Sequence, residues 1–323
     1  MTEAAMGAVA DVSVVLATRD RPALLWRCLE AIEAQTQPPL EVLVVDDASG
    51  PETAAVLDQM AARLPLRRVR LPRRSGPGRA RNAGWSRAQG TWVAFTDDDC
   101  RPEPGWLAAL RATATENRVV VGRTRPDPAG DPPRSAFDRS MEAEGLTHRF
   151  STCNILYPLK ALRRLGGFDP EIDLFGEDTD LGQRAVGLGL VETYAADAIV
   201  NHVVHHMTAV AALRERWRCG EVVRLARRYP RLRDEIWHGR FWKHYHPRVF
   251  EALAGVALTP VSPVFLFLTT PWFKEAGVRL RHDLGRDLEG ADAARELASL
   301  FLLDSVEALS CAWGSVRHRT LFL

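Results

Sequence analysis

Short runs of consecutive apolar residues alternate with stretches of helical spacing through the first third of the chain. Residues 11–18, DVSVVLAT, form a valine-rich apolar block, as a strand buried on both faces requires. Pro22 then opens a segment in which Leu25, Cys28, Leu29 and Ile32 recur at helical spacing, and Pro38 and Pro39 follow its end. Residues 41–49, EVLVVDDAS, give a second buried strand that ends in two aspartates, and a helix is predicted over 52–64. LRRVRL at 66–71 is a weaker, more exposed strand. SGPGRARNAGWSRAQG at 75–90 is a glycine turn entering a helix, and TWVAF at 91–95 is a fourth strand.

This β-α-β-α-β-α-β order predicts an α/β fold with a mostly parallel central sheet and helices on both faces. Residues 118–124 and 150–158 return to strand character around a Pro-, Gly- and Asp-rich loop. VETYAADAIVNHVVHH then reads as a strand ending in histidines. From residue 208 the composition changes. Residues 214–248 hold eleven Lys or Arg against four Asp or Glu, interleaved with Trp217, Trp237 and Trp242. Residues 252–273 carry no charge and contain Pro260, Pro263 and Pro271, and the last 45 residues read as amphipathic helix. The expected organisation is a short disordered leader over 1–10, a catalytic domain over 11–207 and a C-terminal helical region over 208–323.

Composition narrows this picture little. The chain has 323 residues, 46% hydrophobic and 26% charged, with net charge +1, so bulk charge calls for no nucleic acid partner. Five cysteines without a C-x-x-C pair fit a reducing cytoplasm. The acidic, non-basic N-terminus does not read as a signal peptide. The uncharged stretch is long enough to span a bilayer, but its prolines argue equally for a buried helical cap. The basic, tryptophan-bearing region before it resembles an interfacial surface, which would place the protein at the inner face of the cell membrane.

Chemistry concentrates at the C-terminal ends of the predicted strands, where open α/β sheets bind ligands. Asp97, Asp98 and Asp99 follow the fourth strand. If strand alternation continues, Asp97 and Asp99 point the same way and can share one Mg²⁺ or Mn²⁺ brought with a diphosphate; otherwise the run is a solvated helix cap. Cys100 stands where a phosphatase-type D-x-D-x-T would need threonine. Thr18 and Arg19 follow the first strand without a G-x-G-x-x-G, which weakens an oxidoreductase reading. Asp47 could hold a ribose or base, and Arg81 lies near a helix N-terminus that favours anions. Glu177 and Asp178 open a helix; being adjacent, at most one faces a given reactant. His202, with His205 as its rival, could complete a mixed Asp/His metal shell.

Taken in order, VSVVLATRDRPALLWRCLEAIEAQT, EVLVVDDAS, GPGRARNAGWSRAQGTWVAFTDDDC and GGFDPEIDLFGEDTDLGQRAVGLG resemble the family 2 glycosyltransferases of the GT-A fold. The resemblance covers residues 11–206. It implies that Asp47 contacts the nucleotide, and that Asp97 and Asp99 form a D-x-D pair binding metal and sugar nucleotide. It also implies that Asp178 is the general base, with Glu177 near the acceptor. The family's Pro-Thr-Tyr-Asn after the first strand is replaced by Ala17-Thr18-Arg19-Asp20, so Arg19 would stack on the base by its guanidinium plane. The expected activity is metal-dependent, inverting transfer of a sugar from a nucleoside-diphosphate donor, with UDP-sugars favoured. The acceptor is a glycan, a lipid-linked molecule or a small molecule. A nucleotidyltransferase or a non-catalytic sugar-nucleotide binder are the alternatives.

Overall fold

A computed structural model describes residues 10–139, 141–172, 175–235 and 237–322. The leader expected over 1–10 lies, apart from Ala10, outside them. The chain forms two compact units: residues up to Asp127 with Met141–Val203, and Pro128–Ser140 with Val204–Leu323.

The first unit is built on an eight-stranded sheet. Its strands are β1 (Val12–Thr18), β2 (Glu41–Asp46), β3 (Leu66–Arg70), β4 (Trp92–Phe95), β5 (Cys100–Pro102), β6 (Arg118–Pro126), β7 (Ile155–Pro158) and β8 (Val191–His202). Their spatial order is β3-β2-β1-β4-β7-β6-β8-β5. The first four strands pair in parallel, as the alternation of strands and helices requires. β7 is antiparallel to both β4 and β6, and β5 is antiparallel to β8, so the far half of the sheet is mixed.

Alternation along the strands divides the core. Val14, Leu16, Val42 and Val44 face one layer with Leu25, Leu29 and Ile32 of α1 (Pro22–Glu33) and Trp106 of α4 (Trp106–Thr113). The intervening Val15 and Leu43 face the other layer, with Trp85 of α3 (Pro77–Trp85) and Leu181 of α6 (Glu177–Gly187). Each such buried side chain contributes roughly 1.5–3 kcal/mol. On the first face α2 (Pro51–Met60) adds Leu57 and Met60; on the second, α5 (Leu159–Leu165) adds Leu162. Gly84 lets α3 lie directly on the sheet: a Cβ there would sit 2.6 Å from Val15 Cγ1 and 3.0 Å from Val45 Cγ2.

The second unit is helical: α7 (Ala209–Arg218), α8 (Val222–Arg228), α9 (His246–Leu258), α10 (Thr270–Leu284) and α11 (Gly290–His318). Its core joins Tyr245, Val249, Trp272, Leu280, Leu300 and Ala308. α11 is the one helix among the described residues long and apolar enough to cross a membrane, and half of its most apolar window is buried. Its inward face carries Asp304, bound by Trp272 Nε1 at 2.9 Å and by Arg279, and Glu307, paired with Arg216 at 2.5 Å. Those buried pairs mark it as a core helix of this unit. The uncharged stretch at 252–273 is not one helix. It leaves α9 at Leu258, turns through Pro260, forms a 3₁₀ segment over Pro263–Thr269 and re-enters α10.

Candidate active site

The fourth strand ends at Phe95, and the three aspartates follow in a turn. The strand alternation that would set Asp97 and Asp99 as i and i+2 therefore stops before them. Asp97 turns toward Arg81, whose Nη2 donates to it at 2.6 Å. Asp98 is buried, accepting from Thr18 Oγ1 at 2.7 Å and from Arg21 Nη1 at 3.1 Å. Asp99, also buried, accepts from the same Arg21 nitrogen at 3.0 Å. The neighbouring acids 98 and 99 thus share the Arg21 guanidinium. Arg21 is the residue that sequence reading passed over; its signal was a second basic residue in TRDRP, one turn beyond the first strand.

Burial, and then the charge of Asp99, raises the Asp98 carboxyl to about 6, with Arg21 opposing the rise. Two carboxylates packed side by side resist ionising together.

Arg81 ties two ends of the site. It sits in α3, is 6% exposed, and its Nη1 donates to Glu177 Oε1 at 3.1 Å. A single guanidinium thus spans the aspartate turn after β4 and the first turn of α6. Gly176, with φ of +85°, enters that helix in the left-handed region that glycine adopts without steric cost. Asp180 in the same turn is fully buried and fixed by Arg184 Nε at 2.8 Å, while Arg184 also reaches the carbonyls of Leu165 and Gly167. Of the three acids in the turn, Asp180 is committed to structure and Glu177 to Arg81.

Asp178 is only partly exposed. Its Oδ1 accepts from the Thr179 amide at 2.7 Å. Loss of surrounding water, and next the charge of Glu177, push its carboxyl up to about 7, against the pull of Arg81. A carboxyl with that value is half ionised near neutrality, which suits proton abstraction.

Asp47 accepts from the Ser75 amide at 2.7 Å and the Gly76 amide at 3.1 Å, anchoring the turn before α3. Arg19 is exposed and lies 3.5 Å from Asp20. His202 ends β8 opposite Cys100 of β5, so the register of that pair delivers it beside Asp99, with Nε2 3.5 Å from Asp99 Oδ1. Its Nδ1 donates to the Val203 carbonyl at 2.8 Å. His205 belongs to the second unit, where its backbone pairs with Arg139.

Comparison with known proteins follows the same outline. The profile of "Glycosyl transferase family 2" matches residues 13–165, and that of "Glycosyl transferase family group 2" matches residues 135–274. The chain is 37% identical over 126 residues to the succinoglycan biosynthesis protein ExoO of Rhizobium meliloti, covering 38% of this chain and 35% of that protein. It is 29% identical over 206 residues to the pre-mycofactocin glycosyltransferase of Mycobacterium tuberculosis, covering 59% and 42%. The chain thus spans less than half the length of these curated relatives. Among solved structures, the mannosyltransferase PcManGT from Pyrobaculum calidifontis, in complex with GDP-Man and Mn²⁺, superposes with a TM-score of 0.56 at 19% identity, covering 96% of this chain and 87% of that one. TarS 1–349 of S. aureus with UDP-GlcNAc gives 0.53 at 17% identity, covering 96% and 92%. At those identities the likeness is one of fold.

Proposed function

We propose that the chain is a family 2 glycosyltransferase, as its match over residues 13–165 supports, and that it moves a sugar from a nucleoside-diphosphate donor to an acceptor hydroxyl, with inversion at the anomeric carbon. The single observation that carries this reading is the bridge made by Arg81. It joins an aspartate turn at a strand end to the helix start that bears Asp178. A diphosphate at the first and an alcohol near the second would meet across one guanidinium.

In this reading Asp178, in its ionised form, takes the proton of the acceptor hydroxyl as that oxygen attacks the anomeric carbon. The bond to the diphosphate breaks on the opposite side, and the nucleoside diphosphate leaves with the electron pair. Glu177, held by Arg81, borders the acceptor. Thr18, Arg19, Asp47, Arg81, Asp97 and Asp98 are assigned to the donor. Arg19 is free of the buried acid network and long enough to lie against a base, as its guanidinium plane permits.

A divalent cation fits the remaining groups. A carbonyl accepts only, so the His202 Nδ1 bonded to Val203 carries the proton, and a neutral ring then turns a lone pair at Nε2 toward Asp99. At 3.5 Å from Asp99 Oδ1, that lone pair and the carboxylate are close enough to serve one ion together. Asp99 and His202 would hold Mn²⁺ or Mg²⁺, with Asp97 near the same phosphates. Bound there, the ion would supply positive charge to the departing diphosphate. The Mn²⁺ named with the mannosyltransferase structure supports this assignment. UDP-sugars remain the favoured donors, with GDP-mannose as the competing class that the same structure names. The five cysteines are all free, which supports a cytoplasmic location.

The test is nucleotide release from a panel of UDP- and GDP-sugars, with and without Mn²⁺. Release of a nucleoside diphosphate that Asp178→Asn abolishes supports transfer. Pyrophosphate production would establish a nucleotidyltransferase instead. Donor binding without turnover, across a panel of acceptors, would leave a sugar-nucleotide binder.

A further inference from the structure

Twenty large hydrophobic side chains are exposed across the described chain, and eight of them fall within residues 252–273: Val256, Leu258, Val261, Val264, Leu266, Phe267, Leu268 and Phe273. Val261 is 77% exposed and Phe267 73%. Monomeric soluble proteins rarely gather so many on one short segment. The segment is a helical hairpin. α9 runs out to Leu258, the chain reverses around Pro260 and Pro263, and the 3₁₀ segment packs back on α9 where Gly255 admits it. A Cβ at Gly255 would stand 2.7 Å from the Phe265 carbonyl.

The hydroxyl groups of this hairpin are tied to its own backbone. It contains four hydroxyl side chains, and each one is bonded to backbone. Thr259 donates to the Gly255 carbonyl at 2.9 Å, Thr269 to Leu266 at 2.7 Å and Thr270 to Phe267 at 2.8 Å. Ser262 accepts from the Val264 amide at 3.4 Å. Three prolines remove further amide donors at the points where helical bonding breaks. A segment in water has no need to satisfy its hydroxyls internally, whereas one that leaves water does.

Charge returns on either side. Residues 240–251 and 274–283 hold six Lys or Arg against three Asp or Glu, and Arg240, Arg248, Lys274 and Arg281 are exposed. Trp237 precedes the first of these flanks and Trp242 lies within it. An apolar tip, an aromatic approach and a basic flank are complementary to a bilayer whose headgroups are acidic.

We infer that residues 256–273 form a wedge that enters one leaflet of an acidic lipid bilayer, with the flanking arginines and lysines on the headgroups. The wedge does not span. α9 has 13 residues, about 20 Å at 1.5 Å per residue, short of the ~30 Å hydrocarbon core, and the chain then turns back. The inference is independent of the proposed chemistry, because its readout is lipid binding.

The experiment uses the full chain with vesicles of phosphatidylcholine alone and of phosphatidylcholine mixed with phosphatidylglycerol. The wild type is expected to sediment with the mixed vesicles, less so at high salt. The double variant Val261→Asp, Phe267→Asp should lose ~10-fold or more of that binding, with unchanged circular dichroism and unchanged nucleotide release. Lys274→Glu, Arg281→Glu should lose the preference for acidic lipid. Wild-type protein left in the supernatant, or a double variant that sediments equally well, overturns the inference. So does light scattering that shows a dimer, without vesicle binding, which the double variant dissociates: the hairpin would then be an interface between copies.

Discussion

Arg81 Nη1 donates to Glu177 Oε1 at 3.1 Å across 96 residues of chain. That bond closes the distance between two sequence motifs which, read separately, are only an acidic turn and a helix start. Because Arg81 is almost wholly buried, its removal leaves Asp97 and Glu177 without their shared counter-ion. Arg81→Ala should therefore cost about 3–5 kcal/mol of stability and abolish transfer. Arg81→Lys, which cannot span both acids, should fold better than Arg81→Ala and still transfer poorly. Urea denaturation and nucleotide release measure the two effects.

The Asp178 carboxyl, raised to about 7, makes two opposite statements about pH. Transfer should rise as pH passes upward through about 7, since only the ionised form accepts a proton. Asp178→Asn should lower the rate by ~10²–10⁴ and flatten that profile. Stability runs the other way. A carboxyl whose folded value exceeds its ordinary 3.8 contributes stability fully present below that value, and the contribution is lost as pH rises through about 7. Asp178→Asn should thus melt at least ~2 °C above the wild type near pH 8, an advantage that shrinks near pH 5. An unchanged difference between the two conditions would speak against a titrating Asp178.

Arg21 faces two buried acids while about half of its own side chain reaches solvent. Solvent screens such a pair, so Arg21→Met should cost ~1 kcal/mol near pH 8. With Asp98 raised to about 6, the loss should diminish near pH 5, where that acid carries a proton. Thermal melts at the two conditions check the sign.

If Asp99 and His202 hold a cation, His202→Ala should raise the Mn²⁺ concentration needed for half-maximal transfer by ~10–100-fold. Donor binding in the presence of a chelator should be little changed by the same substitution. Titration calorimetry with Mn²⁺ alone distinguishes a lost ligand from a damaged fold.

Gly84→Ala tests the packing of α3 on the sheet. The added methyl meets Val15 at 2.6 Å, and overpacking of this kind costs about 1–3 kcal/mol. A neutral result would mean that the helix can lift without consequence.

The parallel half of the sheet was legible because its strands are apolar blocks ended by polar residues. β3 was legible even as an exposed strand, its pattern showing arginines among two half-buried positions. β5 was not, since three residues are too few to show a period. Sequence named most of the acids but not their partners. It set Asp97 and Asp99 side by side by continuing β4, but the strand stops at Phe95, so a turn directs them, and the Arg81 partner of Asp97 is not encoded in strand periodicity. Partner choice depends on where elements 78 or more residues apart come to rest. Thr18 with Asp98 and Arg21 with Asp99 are of that kind. The break within 252–273 was written in its prolines; the outward direction of its apolar side chains was not.

His202 owes its place to a strand ladder rather than to a loop. Cys100 faces His202, Arg101 faces Asn201 and Pro102 faces Val200, and beyond the ladder the Val203 amide bonds the Asp99 carbonyl. Such a ladder works as a ruler with two-residue graduations. One residue inserted between Val200 and His202 would swing the imidazole to the reverse side of the sheet while leaving every acid of the cleft in place. Length variation should therefore be forbidden in those three positions, and a library of single-codon insertions along β8 would show the boundary as an abrupt step.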